Sequence, residues 1–385
     1  MRINPRRTDA SSPKPAAPDG DPKASDPFPA DSTPSVAADA TPSAAADSTP
    51  NVAADATPSA VDSVPGRRPP RRRKGWRILA VAALAAVGLG LASTGANLLL
   101  ERQERASITP YGERIEISGG AVNVFRNGHT GQSIVLLSGL GTAAPALDFA
   151  PLIRELGDYN VTVVEGFGYG YSDMSASERS NKNINTELHE VLGKLSITQP
   201  YVLAGHSIAG FYMLDYANRY PAEVAAVIGI DATVPKAMGG PAGVESGILG
   251  AAARLLSVTG VVRDVLAVAP GLAEPDGDAY TPEERERMRL MMSWNFGNQA
   301  VADETARTGN NASDLRGMSY PDGLPVLAFV ADDGSPETAG RAAALENLLK
   351  NVKRHEIVPL AGGHYLHWTQ SRAMAEAIRK FLATQ

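Results

Sequence analysis

The chain has 385 residues, 36 Lys and Arg against 42 Asp and Glu, a formal net charge of −6, and no cysteine. That balance carries no basic footprint for a nucleic-acid partner, and the missing cysteines exclude disulfides and thiolate metal sites.

Residues 1–66 are dominated by Pro, Ala, Ser, Thr and Asp, with too few large apolar side chains to form a core. An eight-residue unit recurs there, as Ala30-Asp31-Ser32-Thr33-Pro34-Ser35-Val36-Ala37 and again from Ala38, Ala46 and Ala54. It is shorter than a solenoid unit and has no apolar face to stack, so it predicts a disordered, extended tail. The tail reads as a spacer, with binding of a partner or cell-wall polymer as the alternative. A basic segment follows over residues 67–77, with Arg67, Arg68, Arg71, Arg72, Arg73, Lys74 and Arg77. From Ile78 to Leu100 there are 23 residues without a charge, where about 20 suffice for a helix to cross the hydrocarbon core. Trp76 suits an interfacial anchor, and the positive-inside bias places residues 1–77 in the cytoplasm and the remainder outside. The competing reading is a cleaved export signal, with Thr94-Gly95-Ala96 as a small-residue cleavage site and a secreted product.

From about Ile108 to Gln385 the composition is that of one globular domain. Ile115–Ser118 and Val122–Arg126 alternate as a hairpin about Gly119-Gly120. Ile134–Leu137 and Val161–Val164 are continuous apolar runs, the pattern of strands buried on both faces. They end in Ser138-Gly139-Leu140-Gly141 and in Glu165-Gly166-Phe167-Gly168-Tyr169-Gly170-Tyr171-Ser172-Asp173. Helices are predicted through Phe149–Leu156 and Asn185–Leu195. Further strands are Tyr201–Ala204, Ala225–Ile230 ending at Asp231, Val326–Val330 ending at Asp332-Asp333, and His355–Val358. Helices through Arg341–Leu349 and Ser371–Leu382 complete an α/β alternation, which implies a mainly parallel sheet with functional groups at the strand C-terminal ends. The interval 232–320 interrupts this alternation with helices over Ser246–Leu256, Val261–Val268 and Pro282–Gly297. Inserted after the Asp231 strand, it would form a lid. Its Met288, Leu290, Met291, Met292, Trp294 and Phe296 either line a substrate pocket or pack the lid onto the body.

Gly205-His206-Ser207-Ile208-Ala209-Gly210 lies between a buried strand and an apolar helix that Pro221 ends. A serine between small residues at a sharp strand-to-helix turn is a nucleophile elbow, with its hydroxyl held near the helix N-terminal N–H groups. Ala209 stands where the second glycine of G-x-S-x-G would be. Gly168-x-Gly170 lacks the flanking elements of a dinucleotide site, and no His, Asp or Glu cluster has metal-ligand spacing, so no cofactor or metal is assigned.

With these motifs in this order, the chain resembles an α/β-hydrolase from about Arg114 to Gln385. The matching segments are Ser138–Gly141, Gly168–Asp173, the elbow, and Gly363-His364-Tyr365-Leu366-His367 before the last helix. The resemblance implies a serine hydrolase with Ser207 as nucleophile and His364 as base. His367 falls where members often carry a second, noncatalytic histidine. The oxyanion donors it implies are the backbone N–H groups of Leu140 and Ile208. The acid expected after the Val326–Val330 strand would fall on Gly334, so Asp333 is the first choice, with Asp231 and Asp332 as alternatives. Serine at the elbow disfavours the aspartate-dependent epoxide hydrolases and dehalogenases of the family. The expected substrate is a small hydrophobic or lipid-like ester, and the expected partner surface is the membrane, through one helix. The alternative is a noncatalytic envelope binding or scaffold protein on the same fold.

Overall fold

The computed structural model describes residues 72–235, 245–275 and 277–384. The repeat-bearing tail expected over residues 1–66, and the basic segment before Arg72, lie outside the described residues. The first element is α1, Arg72–Ser107, a helix of 36 residues. Within it, Gly75–Ser107 is long and apolar enough to cross a bilayer. It continues past Leu100 because Glu101-Arg102-Gln103-Glu104-Arg105 contains no breaker and Arg105 pairs with Glu101 at 2.8 Å, one turn apart.

Among the described residues eight strands follow: β1 Glu113–Ile117, β2 Gly120–Arg126, β3 Ser133–Leu137, β4 Asn160–Glu165, β5 Tyr201–His206, β6 Val224–Ile230, β7 Val326–Asp332 and β8 His355–Ala361. They form one sheet in the order β1-β2-β4-β3-β5-β6-β7-β8. β1–β2 and β2–β4 are antiparallel, whereas every pairing from β4 to β8 is parallel. The apolar runs of β3 and β5 are buried along their whole length. Alternation explains why both faces must be apolar. Ile134, Leu136, Val202 and Ala204 pack on one side with Phe149, Met374 and Phe381. Val135, Leu137, Tyr201 and Leu203 pack on the other with Phe211, Met213 and Tyr216.

The flanking helices match these two faces. α5, Ala209–Arg219, is buried from Ala209 through Ala217. It joins the face formed by Val135 and Leu203. On the opposite face, α12, Ser371–Leu382, buries Met374, Ala375, Ile378, Phe381 and Leu382, a single helical stripe. The remaining body helices are α2 Pro145–Asp148, α3 Ala150–Glu155, α4 Asn181–Lys194, α10 Pro336–Leu349 and α11 Leu366–Thr369.

The insertion between β6 and β7 contains α6 Glu245–Val258, α7 Val261–Val268, α8 Pro282–Asn295 and α9 Gln299–Asp314. A full capping box starts α8, with Thr281 and Glu284 bonding each other's backbone N–H and Pro282 in the first turn. α9 goes beyond the three lid helices expected from the sequence. Asn298 caps it by accepting from the Val301 N–H, but its buried face mixes Glu304, Thr308 and Asn311 with small residues only (Ala300, Gly309 and Ala312), so it carries no stripe of large apolar side chains. Met288, Met291 and Trp294, together with Tyr280, pack the lid onto Ala144 and Ala150 of the body.

Candidate active site

The turn from β5 into α5 places Ser207 at φ +54°, a left-handed conformation that is costly for a residue with a Cβ. Three backbone bonds hold it there. The Ser207 N–H donates to the Ile230 carbonyl at 3.2 Å, and its own carbonyl accepts from Gly210 at 3.0 Å and Thr233 at 2.8 Å. The small neighbours are required by space. A Cβ on Gly205 would lie 2.8 Å from the Ala209 Cβ, so this pair tolerates one methyl but not two. A Cβ on Gly139 would lie 2.6 Å from His206 Nδ1 and 3.2 Å from Ser207 Cβ.

His364 closes on the serine from the loop after β8. Its Nε2 lies 2.9 Å from Ser207 Oγ and its Nδ1 lies 2.5 Å from Asp231 Oδ2. With Asp231 accepting, Nδ1 holds the ring proton and Nε2 presents a lone pair to the serine hydroxyl. Asp231 is buried at the end of β6, the strand beside β5, at φ +42°. Its Oδ1 accepts from the Ala331 N–H at 3.0 Å, and Arg341 Nη1 donates to Oδ2 at 2.9 Å. The sequence offered no signal for Arg341, which reaches this carboxylate from α10.

Asp333, the first choice for the third member, is not in this chain of bonds. Its exposed carboxylate accepts from the Ser335 N–H at 2.9 Å, and Asp332 likewise accepts from Gly334 at 3.1 Å. Both carboxylates serve the turn that leads into α10, where Ser335 is the N-cap. β7 is also one strand further from the elbow than β6, which is why Asp231 meets His364.

The other histidines have different surroundings. His367 is fully buried, its Nε2 2.7 Å from Asp148 Oδ2, and Trp368 Nε1 donates to Oδ1 of the same carboxylate at 2.8 Å. His206 lies with Nε2 3.1 Å from the His364 carbonyl. Burial, aided by His367 and His364, pushes its pKa well below 6.5. Neutral His206 therefore donates to that carbonyl and steadies the loop carrying His364.

The Ser138–Gly141 loop runs over the elbow. Among the described residues neither the Leu140 nor the Ile208 N–H donates to a protein acceptor, so both are available to an oxyanion. Gly141 N–H donates to Tyr169 Oη at 3.3 Å, and Tyr169 donates to the buried Glu304 of α9 at 2.9 Å. Tyr212 Oη donates to the other oxygen of Glu304 at 2.5 Å, so a lid carboxylate helps to place the loop. Two cavities lie between loop and lid. The larger, about 330 Å³, is bounded by Gly141, Ala143, Gly168, Met292, Phe296 and Val301. The smaller, about 170 Å³, is bounded by Leu140, Thr142, Leu272, Met288, Tyr365 and Trp368. Of the lid residues singled out in the sequence, Met288, Met292 and Phe296 thus line a cavity, and Met291 and Trp294 pack. Leu290 also packs, half-buried against the Met288–Trp294 cluster.

Comparison with known proteins agrees with this architecture. The uncharacterized protein YbdG of Bacillus subtilis is 28% identical over 166 residues, covering 42% of this chain and 51% of that protein. Lipase 1 of Psychrobacter immobilis is 29% identical over 132 residues, covering 32% and 41% respectively. The chain thus spans about half the length of the curated relatives it matches or less. A thermophilic esterase from Thermogutta terrifontis superposes with a TM-score of 0.50 at 20% identity, over 71% of this chain and 99% of its own. The model described as "Alpha/beta hydrolase family" matches residues 134–377, from β3 into the last helix and through both the elbow and His364. By that match, over more than half its length, the chain belongs to the alpha/beta hydrolase family.

Proposed function

We propose that this hydrolase is a serine carboxylic-ester hydrolase working through an acyl-enzyme on Ser207. The observation that carries the reading is the unbroken relay from Ser207 Oγ through His364 to Asp231, at 2.9 and 2.5 Å. In the first step Ser207 Oγ attacks the ester carbonyl while His364 Nε2 takes its proton. The developing oxyanion is met by the N–H groups of Leu140 and Ile208, each such donor being worth about 2.7–4 kcal/mol. Asp231 holds the ring tautomer and stabilises the imidazolium. His364 then protonates the leaving alcohol, and water, deprotonated by the same nitrogen, hydrolyses the acyl-enzyme.

Ester substrates fit two further observations. A relative is named a lipase, and Met288, Met292 and Phe296 give the cavities beside the loop an apolar lining. We assign α1 as a single membrane anchor, with residues 1–77 cytoplasmic and the catalytic domain on the other side, in keeping with the basic residues before Trp76.

Labelling with a fluorophosphonate tests the chemistry. The wild-type chain should label and hydrolyse a series of acyl esters, and Ser207→Ala should do neither. His364→Ala should label at least 100-fold more slowly. Absence of a folded-state adduct on the wild type would leave a noncatalytic binding protein as the better reading.

A further inference from the structure

The lid does not sit on the body alone. Asn97, a polar residue near the end of the apolar stretch, is buried. Its Nδ2 donates to the carbonyls of Ser257 and Val258 at 3.1 and 3.2 Å, and its Oδ1 accepts from Arg263 Nε at 2.9 Å. One turn earlier, Ser93 Oγ donates to the Thr259 carbonyl at 2.6 Å. Those carbonyls lie at the C-terminal end of α6 and one residue beyond it, where helix carbonyls run out of intrahelical partners; that of Ser257 also accepts from the Gly260 N–H at 3.0 Å. Two turns further along α1, Glu104 accepts from both terminal nitrogens of Arg263 and from Trp294 Nε1 at 2.9 Å. Side chains from Ser93 to Glu104 therefore fasten α1 to α6, α7 and α8.

This fastening sets a depth. A helix rises 1.5 Å per residue, so a hydrocarbon core of about 30 Å entered at Ile78 takes about 20 residues and ends near Asn97. The α6–α7 corner is therefore held at the edge of that core. Unpaired carbonyls are poorly tolerated at such a depth, and Asn97 and Ser93 are the side chains that satisfy those of Val258 and Thr259.

The exposed surface of the corner is apolar. Among the described residues outside α1, Tyr365 is the one exposed large apolar side chain that does not lie in the lid. Leu255 and Leu256 precede the capped carbonyls. Val261, Val265 and Val268 form one stripe of α7, with Val268 85% exposed. Asp264 is exposed on the flank of that stripe, whereas Arg263 is turned to Glu104. The surface continues into the exposed Leu98, Leu99 and Leu100 of α1. It also reaches the two cavities beside the Ser138–Gly141 loop, because exposed Leu272 and Tyr365 border the smaller and Phe296 the larger.

We propose that the α6–α7 corner docks into the phospholipid leaflet that α1 leaves, so that an ester dissolved in that leaflet enters beside Leu272 or Phe296 without crossing water. The inference rests on the anchor assigned above. The lack of native cysteine allows single-site labelling of the full-length chain. Leu256→Cys and Val265→Cys, carrying an environment-sensitive nitrobenzoxadiazole, are placed in phosphatidylcholine–phosphatidylglycerol vesicles whose nitroxide lipids carry the label at both a shallow and a deep position. Leu89→Cys in α1 and Arg372→Cys on the exposed side of α12 serve as controls. Docking predicts at least threefold quenching at positions 89, 256 and 265 and none at 372. Quenching at 89 alone would overturn the docking while keeping the anchor. Water-like emission at 89 as well would overturn the anchor, and the docking with it. Independently, Val265→Glu with Val268→Glu should raise KM about 10-fold for a bilayer-dissolved long-chain ester and leave a soluble short-chain ester unchanged. Equal behaviour toward both esters would overturn the entry route.

Discussion

The sheet and the lid are built on opposite patterns. In the body, β3, β5, β6 and β7 are apolar on both faces, and the polar groups that matter stand at strand ends. In the lid, α9 turns Glu304, Thr308 and Asn311 inward, while α6 and α7 turn Leu255, Leu256, Val261, Val265 and Val268 outward. Burial of apolar area holds the first region and makes it rigid. Hydrogen bonds hold much of α9 against the body, as where Asn181 and Asn311 bond each other and Asn311 Nδ2 donates to the Arg179 carbonyl at 3.0 Å. The comparison teaches a division of labour. The body holds Ser207, His364 and Asp231 together, and the lid helps to place the loop beside them through Glu304 and Tyr169 and presents an apolar exterior.

The largest expected effect tests whether the chemistry belongs to the strand ends of the body. Asp231→Asn should lower kcat for ester hydrolysis by about 10⁴-fold, because an amide favours the wrong histidine tautomer. Asp333→Asn and Asp332→Asn, confined to the exposed turn before α10, should each stay within about twofold, since the groups lie outside the site. Steady-state kinetics on the three variants decides this. A Asp333→Asn loss rivalling that of Asp231→Asn would break the assignment.

Stability provides the next test. Phe329→Ala should destabilise the domain by about 3–5 kcal/mol by leaving a cavity in a two-faced core. Asn311→Leu should cost about 1–3 kcal/mol for each buried group it leaves without a partner, the Asn181 N–H and the Arg179 carbonyl. Denaturation of the detergent-solubilised chain measures both. A loss well below 1 kcal/mol for Asn311→Leu would mean that apolar burial, and not these hydrogen bonds, holds the lid.

The same contrast explains what could be read in advance. Period-two burial with apolar residues on both faces made β3, β4, β5, β6 and β7 legible as continuous runs. The strained turn at Ser207 announced itself through its small neighbours. α9 is hard to read because its inner face buries polar groups beside alanine and glycine, and a helix without a stripe of large apolar residues resembles a loop. Which aspartate meets His364 is hard to read for a different reason. Asp231 and Asp333 both follow apolar strands, and one is set apart only by the sheet order that lays β6 against β5. Arg341 reaches Asp231 from α10, across 110 positions of sequence, and no local pattern marks such a contact.

The subtlest difference between the two regions is in their response to pH. Burial chiefly raises the pKa of Glu304 above 4.5, against the opposing hydrogen bonds from Tyr212 and Tyr169 and the charge of Arg179. Between 4.5 and that raised value the unfolded chain gives up the proton more readily than the folded one, so the lid loses stability as pH rises. Glu304→Gln removes this term. Its thermal midpoint relative to wild type should therefore improve as pH rises above 4.5 and level off once the folded carboxyl has ionised. His206 in the body does the reverse. Its pKa is held well below 6.5, so the unfolded chain takes up the proton first and stability falls as pH drops through 6.5. His206→Gln loses the bond to the His364 carbonyl at every pH, but its deficit should shrink between pH 6.5 and pH 5. Thermal melts across pH 4.5–8 on the three proteins should give difference curves of opposite slope. Parallel curves would mean that at least one of the two buried groups does not titrate in the way burial demands.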